Sequence, residues 1–198
     1  MKLPQPRIHG GMPLVQALEA RRSIRDYADE PLTLQDISQL LWSAQGVTEP
    51  ETGYRTTPSA GATFPLETYL VAGAVDGLEA GVYRYDPASH AIDRTAAGDI
   101  RAELAAACMN QGCVGNCAVG ILFGTVEQRT ADTYGELAHD FVMMEAGHAA
   151  QNISLQAVDL GLGAVAIGAL DAGKVKAMTG MGNEAEPVYM MVMGKPAG

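Results

Sequence analysis

The chain has 198 residues, 47% of them hydrophobic and 18% charged, with a formal net charge of −10. That composition suits a folded domain with one core and excludes an intrinsically disordered chain. The acidic balance argues against nucleic acid and anionic membrane as partners, and no apolar run reaches membrane-spanning length.

The start, MKLPQPRIHGG, carries no apolar signal core, so a cytoplasmic protein with a single domain over 1–198 is expected. Pro13 opens a short helix in which Leu14, Val15 and Leu18 share a face. Thr33 and Asp36 read as a capping box for a second helix that Gly46 ends. Residues 47–64 read as a long polar connection, a length that is usually functional. Leu66 to Ala72 predicts a strand, and Val82–Tyr85 with Ala91–Arg94 predicts a hairpin. A helix follows over 100–109, then a buried strand over 118–126. Thr133 and Glu136 suggest a capping box for one long helix of about 27 residues ending at Gly161, apolar nearly all round in its second half. Strands over 164–169 and 188–193 flank a helix over 171–178. The class is α+β, with a central antiparallel or mixed sheet flanked by helices and one long buried helix.

Cys108, Cys113 and Cys117 are too few for a four-ligand metal cluster and odd in number for a disulfide framework, so they read as reduced thiols. Two Glu-x-x-His pairs, Glu136/His139 and Glu145/His148, lie on one helix and point to nearly opposite sides. They suit a histidine satisfied by a carboxylate better than a metal site, and no metal is expected.

Arg21-Arg22-Ser23-Ile24-Arg25 packs three basic residues into five positions. In an extended segment Arg21, Ser23 and Arg25 point the same way. Two guanidinium groups flanking a hydroxyl can cradle a phosphate or an anionic ring; a solvated basic turn is the alternative. Pro58-Ser59-Ala60-Gly61-Ala62 has little side-chain bulk and can lie flat against a planar ligand, or form a simple turn. The glycines of 161–168 follow a helix and precede a strand, the reverse of a dinucleotide-binding loop. Gly168 and Ala169, at the end of that strand, are small enough for close approach by a ligand.

These segments, in this order, resemble the FMN-dependent nitroreductase family. The matching pieces are RRSIR at 21–25, LLWSAQG at 40–46, RTTPSAGA at 55–62, GVYRY at 81–85, EAGH at 145–148 and LGLGAVAIGA at 160–169. They look nearest to the azoline-dehydrogenase branch that makes thiazole and oxazole rings. The resemblance implies a sandwich that forms a homodimer with FMN at the interface. It implies that Arg21 and Ser23, with Arg22 beside them, hold the phosphate and ribityl chain, and that Arg25 faces the flavin pyrimidine edge. Pro58, Ser59, Ala60 and Gly61 would come from the partner subunit, Gly168 and Ala169 would lie beside flavin N5, and Lys195 is the late basic residue suited to the phosphate. The implied activity is ping-pong hydride transfer from NAD(P)H to a small planar acceptor such as a nitroaromatic or quinone. A protein that stores or senses FMN without turning over a nicotinamide would share every one of these contacts. The branch carries a Lys-Tyr pair before its long helix; here the pair is Thr133-Tyr134, which argues against a proton-abstracting dehydrogenase.

Overall fold

A six-stranded antiparallel sheet forms the centre of the computed structural model, which describes residues 1–198. The first half runs α1 (Leu14–Ala20), α2 (Leu34–Gln45), β1 (Val47–Glu49), β2 (Tyr54–Arg55), β3 (Leu66–Ala72), β4 (Gly81–Asp86) and β5 (Ala91–Ala97). The second half runs α3 (Arg101–Ala107), α4 (Gly112–Gly115), β6 (Val119–Thr125), α5 (Gln128–Tyr134), α6 (Ala138–Asp159), β7 (Gly163–Ile167), α7 (Ala172–Thr179) and β8 (Glu186–Gly194).

Strand order is β5-β4-β3-β6-β8-β7, and every pairing of neighbours is antiparallel. Strand β6 sits between β3 and β8 and is buried along its whole length, as its unbroken apolar sequence requires. Apolar layers cover both faces of the sheet. On one, Ile37, Leu40 and Leu41 of α2 meet Ala149 and Ile153 of α6. On the other, Leu104 of α3 and Val175 of α7 pack over Leu122, Val165 and Val192. The strand-to-helix order is irregular, so the fold is α+β, a sheet between helical layers.

The capping box at the start of α2 forms as expected. Asp36 N–H donates to Thr33 Oγ1 at 3.1 Å, and Thr33 N–H donates to Asp36 Oδ2 at 2.9 Å. The connection over 47–64 and the start of the long helix are corrected. The stretch 47–64 is not a plain connection: β1 and β2 pair as a short hairpin, and Ala60–Ala62 make a 3₁₀ turn. The long helix does not start at Thr133, which lies within α5. Gly135, at φ 55°, breaks the chain, and α6 has 22 residues from Ala138. The second half of α6, read as apolar nearly all round, is buried or half-buried at every position from Ala149 to Asp159 except Gln151, and the first half is two-faced. Val142, Glu145, Ala149 and Ile153 face inward, whereas Met143, Met144 and His148 face out.

Replacing Thr33 by Ala removes a reciprocal cap without touching the core. The expected cost is about 1 kcal/mol, a melting temperature lower by roughly 2–4 °C in calorimetry.

Candidate functional site

Strand β7 is the outer strand, so its free edge needs a cover. The segment after α1 supplies it. Ser23 forms a parallel bridge with Ala164, and Ile24 N–H donates to the Ala164 carbonyl at 3.0 Å. The chain then turns onto the end of β8: Ala28 N–H donates to Lys195 O at 2.9 Å and Ala197 N–H to Asp26 O at 3.1 Å. Two glycines paired across β7 and β8, Gly163 and Gly194, make this docking possible. A Cβ on Gly163 would lie 2.7 Å from Ile24 Cγ2, and one on Gly194 would lie 2.9 Å from the Tyr27 ring. Tyr27 locks the turn by donating from its hydroxyl, which lies 2.8 Å from Ile24 O and 3.1 Å from Val192 O. Burial pushes that phenol well above the ordinary range, so it stays a donor.

With Ile24 turned into the sheet edge, Ser23 and Arg25 are exposed. Most basic side chains of this acidic protein are ion-paired, but Arg21 and Arg25 take no part in any ion pair. Arg22 is turned back on the end of α1, donating to the carbonyls of Glu19 at 2.8 Å and Arg21 at 2.7 Å. Lys195 reaches the same region through the end of β8, where its ammonium pairs with Glu30 at 2.7 Å. Gly168 and Ala169 are exposed beyond the far end of β7, about 16 Å from Gly163 at strand rise. One sheet edge thus carries the basic segment at one end and the two small residues at the other.

Pro58, Ser59, Ala60 and Gly61 stand apart from that edge, on a loop over α6. Asn152 of α6 donates to Thr56 O at 3.2 Å and Thr57 Oγ1 at 3.1 Å, and Thr57 donates to Ala44 O at 2.6 Å. Gly61 sits at φ 58°, and a Cβ there would lie 2.8 Å from Tyr134 Oη, so only glycine suits the position. Tyr134 in turn packs edge-on against Phe141, 5.0 Å between centroids. A cleft of about 390 Å³ opens beside this loop, between Met12, Leu14, Trp42, Thr56, Asn152 and Gln156.

Beneath the loop lies a polar cluster that the motif reading passed over. Arg55 stacks on Phe64, 4.4 Å from ring centroid to guanidinium carbon, and donates to Gln45 Oε1 at 2.8 Å. Glu145 is 3% exposed. Burial pushes its carboxyl up to about 7, while the nearby Ser59 hydroxyl and Arg55 charge pull it back. Its helical spacing from Val142 and Ala149 was the available signal, because that spacing puts it on the inward stripe. The Glu-x-x-His pairs do not act as pairs: Glu145 points in and His148 out, while His139 meets Glu127 at 3.0 Å. Both histidines are exposed within the chain, and His139 is the one satisfied by a carboxylate, that of Glu127 rather than of Glu136. The three cysteines are buried free thiols, and burial pushes Cys108 up to about 11 and Cys117 up to about 12, which keeps both as thiols.

Residues 18–195 match the Nitroreductase family. The chain belongs to that family. A protein of Methanocaldococcus jannaschii that bears the nitroreductase name is 38% identical over 182 residues, 92% of this chain and 90% of that one. A crystal structure from Ralstonia eutropha under the same name superposes with a TM-score of 0.87 at 31% identity, covering all of this chain and 89% of the other. The NADPH:FMN oxidoreductase of Vibrio harveyi, solved with NAD+, shares the fold at TM-score 0.67 and 21% identity, over 93% of this chain and 69% of its own. Family membership makes this protein an oxidoreductase.

Two outcomes test the geometry. Gly163→Ala should overpack Ile24 and cost about 1–3 kcal/mol in urea unfolding. Gly168→Ala, whose Cβ would meet the Tyr189 ring at an ordinary 3.4 Å, should be near neutral. For Glu145, the folded state holds its proton more tightly than the unfolded chain does. Its stabilising effect is present below pH 4.5 and lost as pH rises towards 7. Glu145→Gln should remove that part of the slope in a pH series of melting curves.

Proposed function

We propose that this chain is an FMN-dependent oxidoreductase that works as a homodimer, taking hydride from NAD(P)H and passing it to a small planar acceptor. The observation that carries the reading is the pair of unpaired guanidinium groups, Arg21 and Arg25, flanking Ser23 on the edge of β7 in a nitroreductase-family chain. The donor set suits FMN: two free cations and a hydroxyl at one end for phosphate and ribityl oxygens, small residues at the other for a flat ring. Arg21, Arg22 and Ser23 would hold the phosphate end, Arg25 the pyrimidine edge, and Gly168 and Ala169 would let the ring lie close to the strand end. Lys195 would add charge at the phosphate end once released from Glu30. The Vibrio harveyi enzyme's name couples the same fold to NADPH and FMN, which supports this choice of cofactor and donor.

When bound, FMN supplies the hydride-accepting and hydride-donating chemistry in two successive half-reactions. The chain's own part is positioning and charge. Arg25 would stabilise negative charge that collects at the pyrimidine edge on reduction, and the exposed end of β7 would leave one ring face open to flat partners.

Pro58–Gly61 would reach the flavin of the partner subunit, completing a site that one chain builds only in part. Dimerisation is supported by apolar surface on adjacent helices: Leu14, Val15 and Leu18 of α1 are 64%, 72% and 52% exposed, and Met143 and Met144 of α6 are exposed too. By motif the chain lies nearest the azoline-dehydrogenase branch. Thr133 stands where that branch carries its lysine, so a general reductase is the better reading than a proton-abstracting dehydrogenase.

Purified protein should bind FMN, its visible bands should bleach on anaerobic addition of NADH or NADPH, and sedimentation should give a dimer. Bands that persist with both nicotinamides would favour an FMN-storing or FMN-sensing protein instead. Arg21→Ala or Arg25→Ala should weaken FMN binding about 10- to 100-fold, the value of a charge-assisted hydrogen bond. Arg94→Ala, which removes a distant ion-paired arginine, should leave binding unchanged.

A further inference from the structure

The loop that carries Pro58–Gly61 is anchored at both ends by ordinary bonds, but its middle rests on a group that the flavin reading leaves without a task. Glu145 is the one acidic residue among the buried side chains. It projects from α6 beneath the loop, near Arg55 at the loop's start and Ser59 in its middle. Ser59 Oγ already accepts from Phe64 N–H at 2.9 Å, which leaves its single O–H free to donate. Phe64 is held from two further sides, by the Arg55 guanidinium over its ring and by Arg129, which donates to its carbonyl at 3.0 Å. Glu145 Oε1, Arg55 Nε and Gln45 Nε2 are all buried without a hydrogen-bond partner inside the chain. A buried carboxyl is costly, and α6 could carry Leu or Ala at this inward position far more cheaply. The placement makes sense if the carboxyl has a structural job that an apolar side chain could not do.

We propose that Glu145 is a positioning residue for the cofactor loop: set between Arg55 and Ser59, its carboxyl fixes the height of Pro58–Gly61 over α6 and so the surface that the loop offers to the flavin. The proposal rests on the flavin reading for its last clause, but the anchoring itself is a property of the chain alone. Ser59 is the link. Its oxygen ties the loop to Phe64 on one side and its proton is available to Glu145 on the other. A glutamine at 145 keeps an acceptor oxygen of the same reach, whereas alanine leaves the Ser59 hydroxyl without it.

Glu145→Gln, Glu145→Ala and Ser59→Ala should be compared with the wild type in two measurements. The first is amide hydrogen exchange of the flavin-free protein. Exchange at residues 59–64 should rise at least about tenfold in Glu145→Ala and Ser59→Ala, stay near wild type in Glu145→Gln, and leave the amides of β6 protected in all three. The second is FMN titration by fluorescence quenching, with the visible spectrum of the bound flavin recorded. Affinity should fall about tenfold or more and the bands should shift in Glu145→Ala, with rescue by Glu145→Gln. Unchanged exchange over 59–64 in Glu145→Ala would overturn the anchoring. Raised exchange with wild-type FMN affinity and spectrum would overturn the link to the flavin. A wild type that binds no FMN would sink the flavin reading and leave the exchange result to decide the anchoring. Should Glu145→Ala not fold, Glu145→Leu removes the same carboxyl while filling its space, and unchanged exchange over 59–64 there would equally overturn the anchoring.

Discussion

The seating of Ile24 and Tyr27 on the glycine pair Gly163–Gly194 is the contact on which the candidate site depends. It covers the open edge of β7, joins the segment after α1 to the end of β8, and leaves Arg22, Ser23 and Arg25 exposed with Arg21 half-buried. Any side chain at either glycine would push the segment off the sheet edge. Arg21, Ser23 and Arg25 would then lose their common frame, although none of them touches a glycine. A binding site made of long, flexible guanidinium groups gains its order from the backbone beneath them, and here that backbone is held by main-chain bonds to Ala164 and Lys195.

The other half of the site is organised by α6. Its inward stripe closes the core against α2, while Asn152 and Glu145 on nearby turns carry the 55–64 loop. Gly135 decides where this helix can begin, and the short helix α5 before it brings Tyr134 over Gly61. Within one chain the two halves lie on different supports, the loop over α6 and the basic segment along the edge of β7, with α1 packed against α6 between them. In the proposed dimer a second copy would supply one of them, and the exposed apolar side chains of α1 and α6 lie on the helices that would meet it.

Much of the fold was legible because its signals are local. Thr33 and Asp36 cap α2, the run of β6 has no polar residue before Thr125, and Gly161 ends α6 at φ 70°. The misplaced start of the long helix has a specific cause. Thr133 and Glu136 have capping-box spacing, but Gly135 between them takes a positive φ that no helix interior allows. The basic segment and the small-residue loop could be picked out by composition, and their separation could not, because it depends on β7 being the outer strand. Glu145 was noticed only as half of a Glu-x-x-His pair. Spacing along one helix says which residues share a face, and only the packing of that helix says which face turns inward.

Charge bears on how few cations the proposed site would need. With a net charge of −10, the protein's field repels an anionic ligand everywhere except where positive groups are concentrated and unneutralised. Arg84 and Arg129 share Glu67, Arg101 holds Asp99 and Lys176 holds Glu186, so those cations are spent within the structure. Arg21 and Arg25 are not, and nothing acidic is paired with them. A phosphate approaching this segment would meet two unneutralised guanidinium groups with Ser23 between them. Under the proposed function, selectivity for a phosphorylated planar ligand would come from the contrast between that spot and its acidic surroundings.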